Sequence, residues 1–149
     1  VCARKNTYDV KKKVSFYLSE ESKNNLDNSN SCFQFKKNCE NSKKNLINKL
    51  LTLKKDNKKI CGYAATSKST TILNYCGIGT EIIDFICDTT PEKIGKFSPG
   101  KHIPIKSMDY FYKNYPDIAF LFAWNHKNEI FAKEKEFSQK GKWIAHVEL

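Results

Sequence analysis

The stretch "KKICGYAATSKSTTILNYCGIG", Lys58–Gly79, decides how the rest of the chain is read. Its first part is a short apolar run, Lys59 to Tyr63, bounded by charge on one side and by small residues on the other. Then comes a tight turn and a helical pattern from about Thr70 to Tyr75. Strand, small-residue turn and helix in that order open a Rossmann-like unit.

Working outward, the same alternation continues. "EIIDFICD" reads as a second, buried strand that stops at Asp88, and "HIPI" as a short third strand. "SMDYFYKNY" follows as a helix and "DIAFLFAW" as a fourth strand with a continuous apolar run. "NHKNEIFAKEKEFSQKG" is one amphipathic helix stopped at Gly141, and "KWIAHVEL" closes with a fifth strand. Strands alternating with helices predict an α/β, Rossmann-like fold: a mostly parallel sheet of about five strands covered by helices. Upstream, "SCFQFKKNCENSKKNLINKLLTLKKD" places Phe35, Cys39, Leu46, Leu50 and Leu53 on one stripe of a long helix, with Asn30 and Ser31 as its caps. Residues 1–30 form a polar arm or linker, with one weak strand or helical turn at Val14, Phe16, Tyr17 and Leu18. The folded domain is expected over 31–149.

Composition narrows the function classes. At 149 residues and 40% apolar, the chain holds one ordinary domain with its own core. The formal net charge is +10, and clustered cations gain affinity for nucleic acid by releasing counterions. Yet 25 of the 26 basic residues are lysine, and only Arg4 has the guanidinium fork favoured in groove and phosphate recognition. With 14 asparagines besides, a Lys/Asn bias explains much of the charge, and nucleic-acid binding is disfavoured. Lys11–Lys13 reads as a solvated face.

No run approaches the ~18 consecutive apolar residues of a membrane span. The opening "VCARKNTYDVKKK" lacks the apolar centre of a secretory signal. The expectation is a soluble, cytoplasmic protein with no membrane partner. Because it opens with Val1 and its single methionine is Met108, the chain reads as a piece of a longer protein or an incomplete gene model. The six cysteines, Cys2, Cys32, Cys39, Cys61, Cys76 and Cys87, contain no C-x-x-C pair, so neither a disulfide framework nor a zinc site is expected. Cys61 and Cys87 read as small buried hydrophobes, and Cys76 beside Gly77 stays open as a free catalytic thiol.

In open α/β sheets ligands bind beyond the carboxyl ends of the strands, where loops and helix N-termini converge. Four segments fall on that edge: "GYAATSKST", Asp88 with "TTPEK", "KFSPGKH" and "WNH". In the first, small residues let a phosphate or ribose approach the backbone, and Lys68 offers a countercharge. It matches neither the P-loop nor G-x-G-x-x-G, and a plain strand-to-helix turn remains an equal reading. Asp88 stands where an acid can accept ribose hydroxyls, or where a turn needs a cap. His146 reads as structural, whereas His102 and His126 follow edge loops and could donate to a ligand or act as bases. In "KFSPGKHIPI", Lys96–Ile105, Pro99 and Gly100 shape a sharp bend, and Pro104 belongs at a strand end.

Three segments together, "KKICGYAATSKSTTILNYCGIG", "DFICDTTPEKIGKFSPGKHIPI" and "PDIAFLFAWNHKNEI", resemble the C-terminal domain of the S-adenosylmethionine-dependent sugar C-methyltransferases, which act on nucleotide-linked deoxysugars. The similarity covers nearly the whole chain. It implies a third, Rossmann-like domain that helps form a nucleotide-diphosphate sugar site facing an upstream methyltransferase domain. The methyl donor would be bound by that domain and not by this chain, so the fragment alone is not expected to methylate. In this reading Gly62, Tyr63, Ala65, Lys68 and Ser69 approach the diphosphate or sugar. Asn74 belongs to the "LNY" motif, and Asp88 meets a hydroxyl. Lys96, Gly100, Lys101 and His102 border the cleft, and Trp124, Asn125 and His126 complete it. The family's "GYGAxAKG" is altered at Ala64 and Ser69, and its "KQG" is Lys93-Ile94-Gly95 here. If Ala64 must take a positive φ, the turn is strained. A reading of another class stands beside this one: a standalone nucleotide-binding or interaction module without catalysis.

Overall fold

The computed structural model describes residues 11–148. The first ten residues of the expected polar arm, with Cys2 and Arg4, lie outside the described residues. Two compact units divide the chain, Val1–Asn41 and Ser42–Leu149.

In the first unit, α1 spans Lys12–Lys23, a full helix where only a weak strand or turn was expected. Its apolar residues did not signal it because none is buried; Phe16, Tyr17 and Leu18 are all exposed. Helix α2, Ser29–Lys55, starts in the first unit and ends in the second. Its cap is Asn28, whose Oδ1 accepts from Ser31 N at 3.0 Å, in place of the expected Asn30 and Ser31. The predicted stripe is buried only at Leu46 and Leu50; Phe35 is 71% exposed.

The second unit is a five-stranded, all-parallel sheet ordered β3-β2-β1-β4-β5. The strands are β1 (Ile60–Tyr63), β2 (Phe85–Cys87), β3 (Ile105–Lys106), β4 (Ile118–Leu121) and β5 (Lys142–Ile144). Helix α3 (Ser67–Cys76) connects β1 to β2, and α4 (Met108–Lys113) connects β3 to β4. A hairpin-like loop joins β2 to β3 without a helix. Its backbone bonds run from Gly95 N to Ile105 O, 3.0 Å, and from Ile105 N to Lys96 O, 2.8 Å.

The period-two alternation of a strand sorts side chains between two cores. Ile60, Ile118, Phe120 and Ile86 face one layer with Leu46 and Leu50 of α2 and Leu73 of α3. Cys61, Tyr63, Ala119 and Leu121 face the other with Phe111 and Phe137. The single helix expected after β4 is a 3₁₀ turn (Trp124–His126) followed by α5 (Lys127–Lys133) and α6 (Lys135–Lys140). The break is Glu134, 3% exposed, whose carboxylate accepts from Tyr63 Oη at 2.8 Å and Tyr112 Oη at 3.1 Å. Helical patterning carries no sign of such an inward-turned acid. Among the described residues no helix is long and apolar enough to cross a membrane.

Candidate functional site

The chain builds β1, β2 and β3 outward on one side and then β4 and β5 on the other, so strand order reverses between β1 and β4. Parallel pairing brings the carboxyl ends of all five strands to one edge. The loop after β1 is the centre of that edge. Ala64 takes φ +72°, the left-handed conformation that a Cβ disfavours, and its N–H donates to Cys87 O at 2.9 Å. Thr66 caps α3, its Oγ1 accepting from Ser69 N at 3.2 Å, while Ser69 Oγ donates to Thr66 O at 2.6 Å. The Ser67 and Lys68 amides of the first turn have no acceptor among the described residues.

Asp88 is 6% exposed and ties this loop to β2. Its Oδ2 accepts from Ala65 N at 2.7 Å, and its Oδ1 accepts from Thr90 N at 2.8 Å. Lys93 Nζ stands 3.4 Å from Oδ2 and donates to Ala65 O at 2.8 Å. Burial works against the charge, but the Thr90 and Ala65 donors and the Lys93 ammonium outweigh it and hold the carboxyl below its usual range. An acid placed by sequence to meet a hydroxyl is thus engaged by the protein's own backbone.

A cavity of about 390 Å³ opens between the start of α3 and the 95–105 hairpin. Ala65, Thr66, Ser67 and Ser69 form one wall, with Lys93, Lys96, Phe97 and Pro99 opposite. Phe97 is 61% exposed. Asn74 fixes the hairpin to α3: its Nδ2 donates to Pro99 O at 3.0 Å and to Thr70 O at 2.8 Å. Gly100, at φ +80°, lets Asn74 approach, since a Cβ there would fall 2.1 Å from Asn74 Oδ1. Beside this cavity, at the strand-order reversal, Lys68 Nζ donates to Asn125 Oδ1 at 3.1 Å. The Trp124 and His146 rings meet edge to face, 6.3 Å between centroids.

The sequence-predicted residues divide accordingly. Ala65, Ser69 and Lys96 line the cavity; Lys68, Trp124, Asn125 and His126 gather at the reversal. Lys101 and His102 are at the hairpin's turn, outside the cavity lining, with His102 at φ +51°. Gly62 is buried in β1, where a Cβ would meet Phe122 Cε2 at 2.6 Å. Tyr63 points to the opposite face of the sheet and donates to Glu134. Reading the sequence missed Thr66 and Lys93, although a Thr before a helix is an N-cap signal. His146 carries a buried Nδ1 without a partner among the described residues, and burial pushes its pKa down. Burial pushes the Cys76 thiol up, opposing a nucleophilic thiolate there. No cluster of metal-ligating side chains occurs among the described residues.

The C-methyltransferase C-terminal domain family matches residues 1–147. C-methyltransferase NovU of Streptomyces niveus is 43% identical over 86 residues, 58% of this chain and 20% of that protein. The match therefore spans about a fifth of that curated relative's length. With the family matched almost end to end and the parallel α/β sheet in place, the chain belongs to the C-methyltransferase C-terminal domain family.

Proposed function

We propose that the carboxyl edge of this domain holds a nucleotide-diphosphate sugar for a C-methyltransferase, and that methyl transfer itself is done by a domain outside this chain. The observation that carries the reading is the cavity between α3 and the hairpin, whose walls combine a helix start with unpaired amides and the Lys96 ammonium. First-turn amides and the helix dipole favour an anion, and a lysine adds countercharge. Phe97 offers an apolar surface for a base or deoxysugar. Lys68 and Asn125 supply a donor and an acceptor at the neighbouring reversal. In this reading Asp88 and Lys93 position the Ala65 loop and Asn74 positions the hairpin.

S-adenosylmethionine is the methyl donor that the family implies, and two features of this chain speak against its being held here. The acid at the end of β2 has its oxygens occupied by Ala65, Thr90 and Lys93, and Gly62 is covered by Phe122 and Ile86. No step of methyl transfer is therefore assigned to residues of this domain. The proposed setting is a cytoplasmic enzyme that works with an upstream methyltransferase domain.

Calorimetric titration with a nucleotide-diphosphate deoxysugar tests the proposal. Loss of a charge-assisted hydrogen bond costs about tenfold in affinity, so Lys96→Ala and Lys68→Ala should each weaken binding by that order. Wild-type affinity in both variants would remove the site.

A further inference from the structure

The amino edge of the sheet, opposite the proposed nucleotide-sugar site, carries a second cleft of about 700 Å³. Four lysines line it: Lys54 and Lys58 at the end of α2 and beyond it, Lys59 before β1, and Lys113 in the last turn of α4. Two acids stand nearby, and both are engaged. Asp84 Oδ2 accepts from Ile60 N at 3.3 Å, and its Oδ1 pairs with Lys54 Nζ at 3.4 Å. Asp117 Oδ2 accepts from Lys59 N at 2.8 Å, and its Oδ1 pairs with Lys58 Nζ at 3.7 Å. Lys59 and Lys113 have no carboxylate partner among the described residues, and both are exposed.

Besides the lysines and Asp84, the lining holds Asn57 and Asn114 and an aromatic part. Tyr110, 41% exposed, rests edge to face on Phe85 with 5.1 Å between centroids, and Tyr115 with Pro116 continues the wall. A cleft of this size suits a nucleotide-sized ligand. Exposed lysines without a carboxylate partner in the lining favour an anion, and aromatic rings beside them favour a flat ring attached to it.

We infer that this amino-edge cleft is a second anion site that takes a nucleotide: its phosphate is held by Lys59 and Lys113 and its base lies against Tyr110 and Tyr115. The same cations suit a free nucleotide or one unit of a single-stranded RNA; the single nucleotide is favoured because the aromatic and cationic groups line one cleft instead of tracking along a surface.

The test titrates the 149-residue chain with uridine monophosphate and, separately, with an oligouridine, following backbone amide shifts. Uridine monophosphate should move the amides of Lys58–Ile60 and Lys113–Tyr115. K59E/K113E should weaken this response by about tenfold per lysine, and both changes lie on exposed side chains that the fold does not use. Lys96→Ala should leave these shifts intact, so failure of the carboxyl-edge proposal is read separately. The inference is overturned if those amides stay still at millimolar nucleotide, if K59E/K113E binds as wild type, or if only the oligouridine perturbs them.

Discussion

Asp88 shows how one residue can be placed at a strand end by sequence while its bonding partners come from elsewhere in the fold. Its position at the end of β2 was legible from the buried strand before it; its bonds to Ala65, Thr90 and Lys93 were not, because they depend on how the β1 loop folds over it. With its folded pKa below the unfolded value, Asp88 contributes stability that is present above the ordinary carboxylate pKa of about 3.9 and lost as pH falls through the folded value. Asp88→Asn should therefore cost about 2 kcal/mol at neutral pH. In urea unfolding the gap from wild type should shrink below about pH 4. Ala64 is strained at φ +72°, so Ala64→Gly should raise the stability read from urea unfolding by no more than about 1 kcal/mol, the relief offset partly by unfolded-chain entropy. Gly62→Ala should do the reverse through packing alone, destabilising by about 2 kcal/mol because the added methyl meets Phe122 and Ile86.

At the scale of elements, the strands were the most legible, since their apolar runs are short and bounded by charge or small residues. The helices were less so. The α5–α6 break arises from Glu134 turning inward to Tyr63 and Tyr112, a long-range contact that local periodicity does not encode. Burial first, and then Glu134, push the Tyr63 phenol up strongly and that of Tyr112 to about 12. Folded pKa values above the unfolded ones mean stability that is full below about pH 10 and is lost as pH rises through the folded values. In an alkaline titration followed by ultraviolet difference absorption, these two tyrosines should ionise last, together with unfolding. Glu134→Ala should leave two hydroxyl donors without their acceptor, cost about 2 kcal/mol and bring the Tyr112 transition down towards the ordinary tyrosine range. The 95–105 hairpin is the other element that sequence only sketched. Pro99 and Gly100 marked the bend, but the Asn74 bond that fixes it to α3 joins residues 25 apart in the chain.

For the whole molecule, the alternation of strands and helices was enough to predict a parallel, helix-covered sheet, and three motifs were enough to reach the family. The all-parallel pairing of the five strands explains why segments far apart in sequence converge on one edge, since every strand ends there. The cavity lies on the edge the sequence pointed to, but its lining was only partly legible: Lys96 and Ser69 line it, while Lys101 and His102 do not. The most direct test of the central claim is an amide-shift titration of the chain with a nucleotide-diphosphate deoxysugar. Perturbations concentrated at 64–70, 93–99 and 124–126 are the predicted result; silence there, with shifts absent or confined to the amino edge of the sheet, would contradict it.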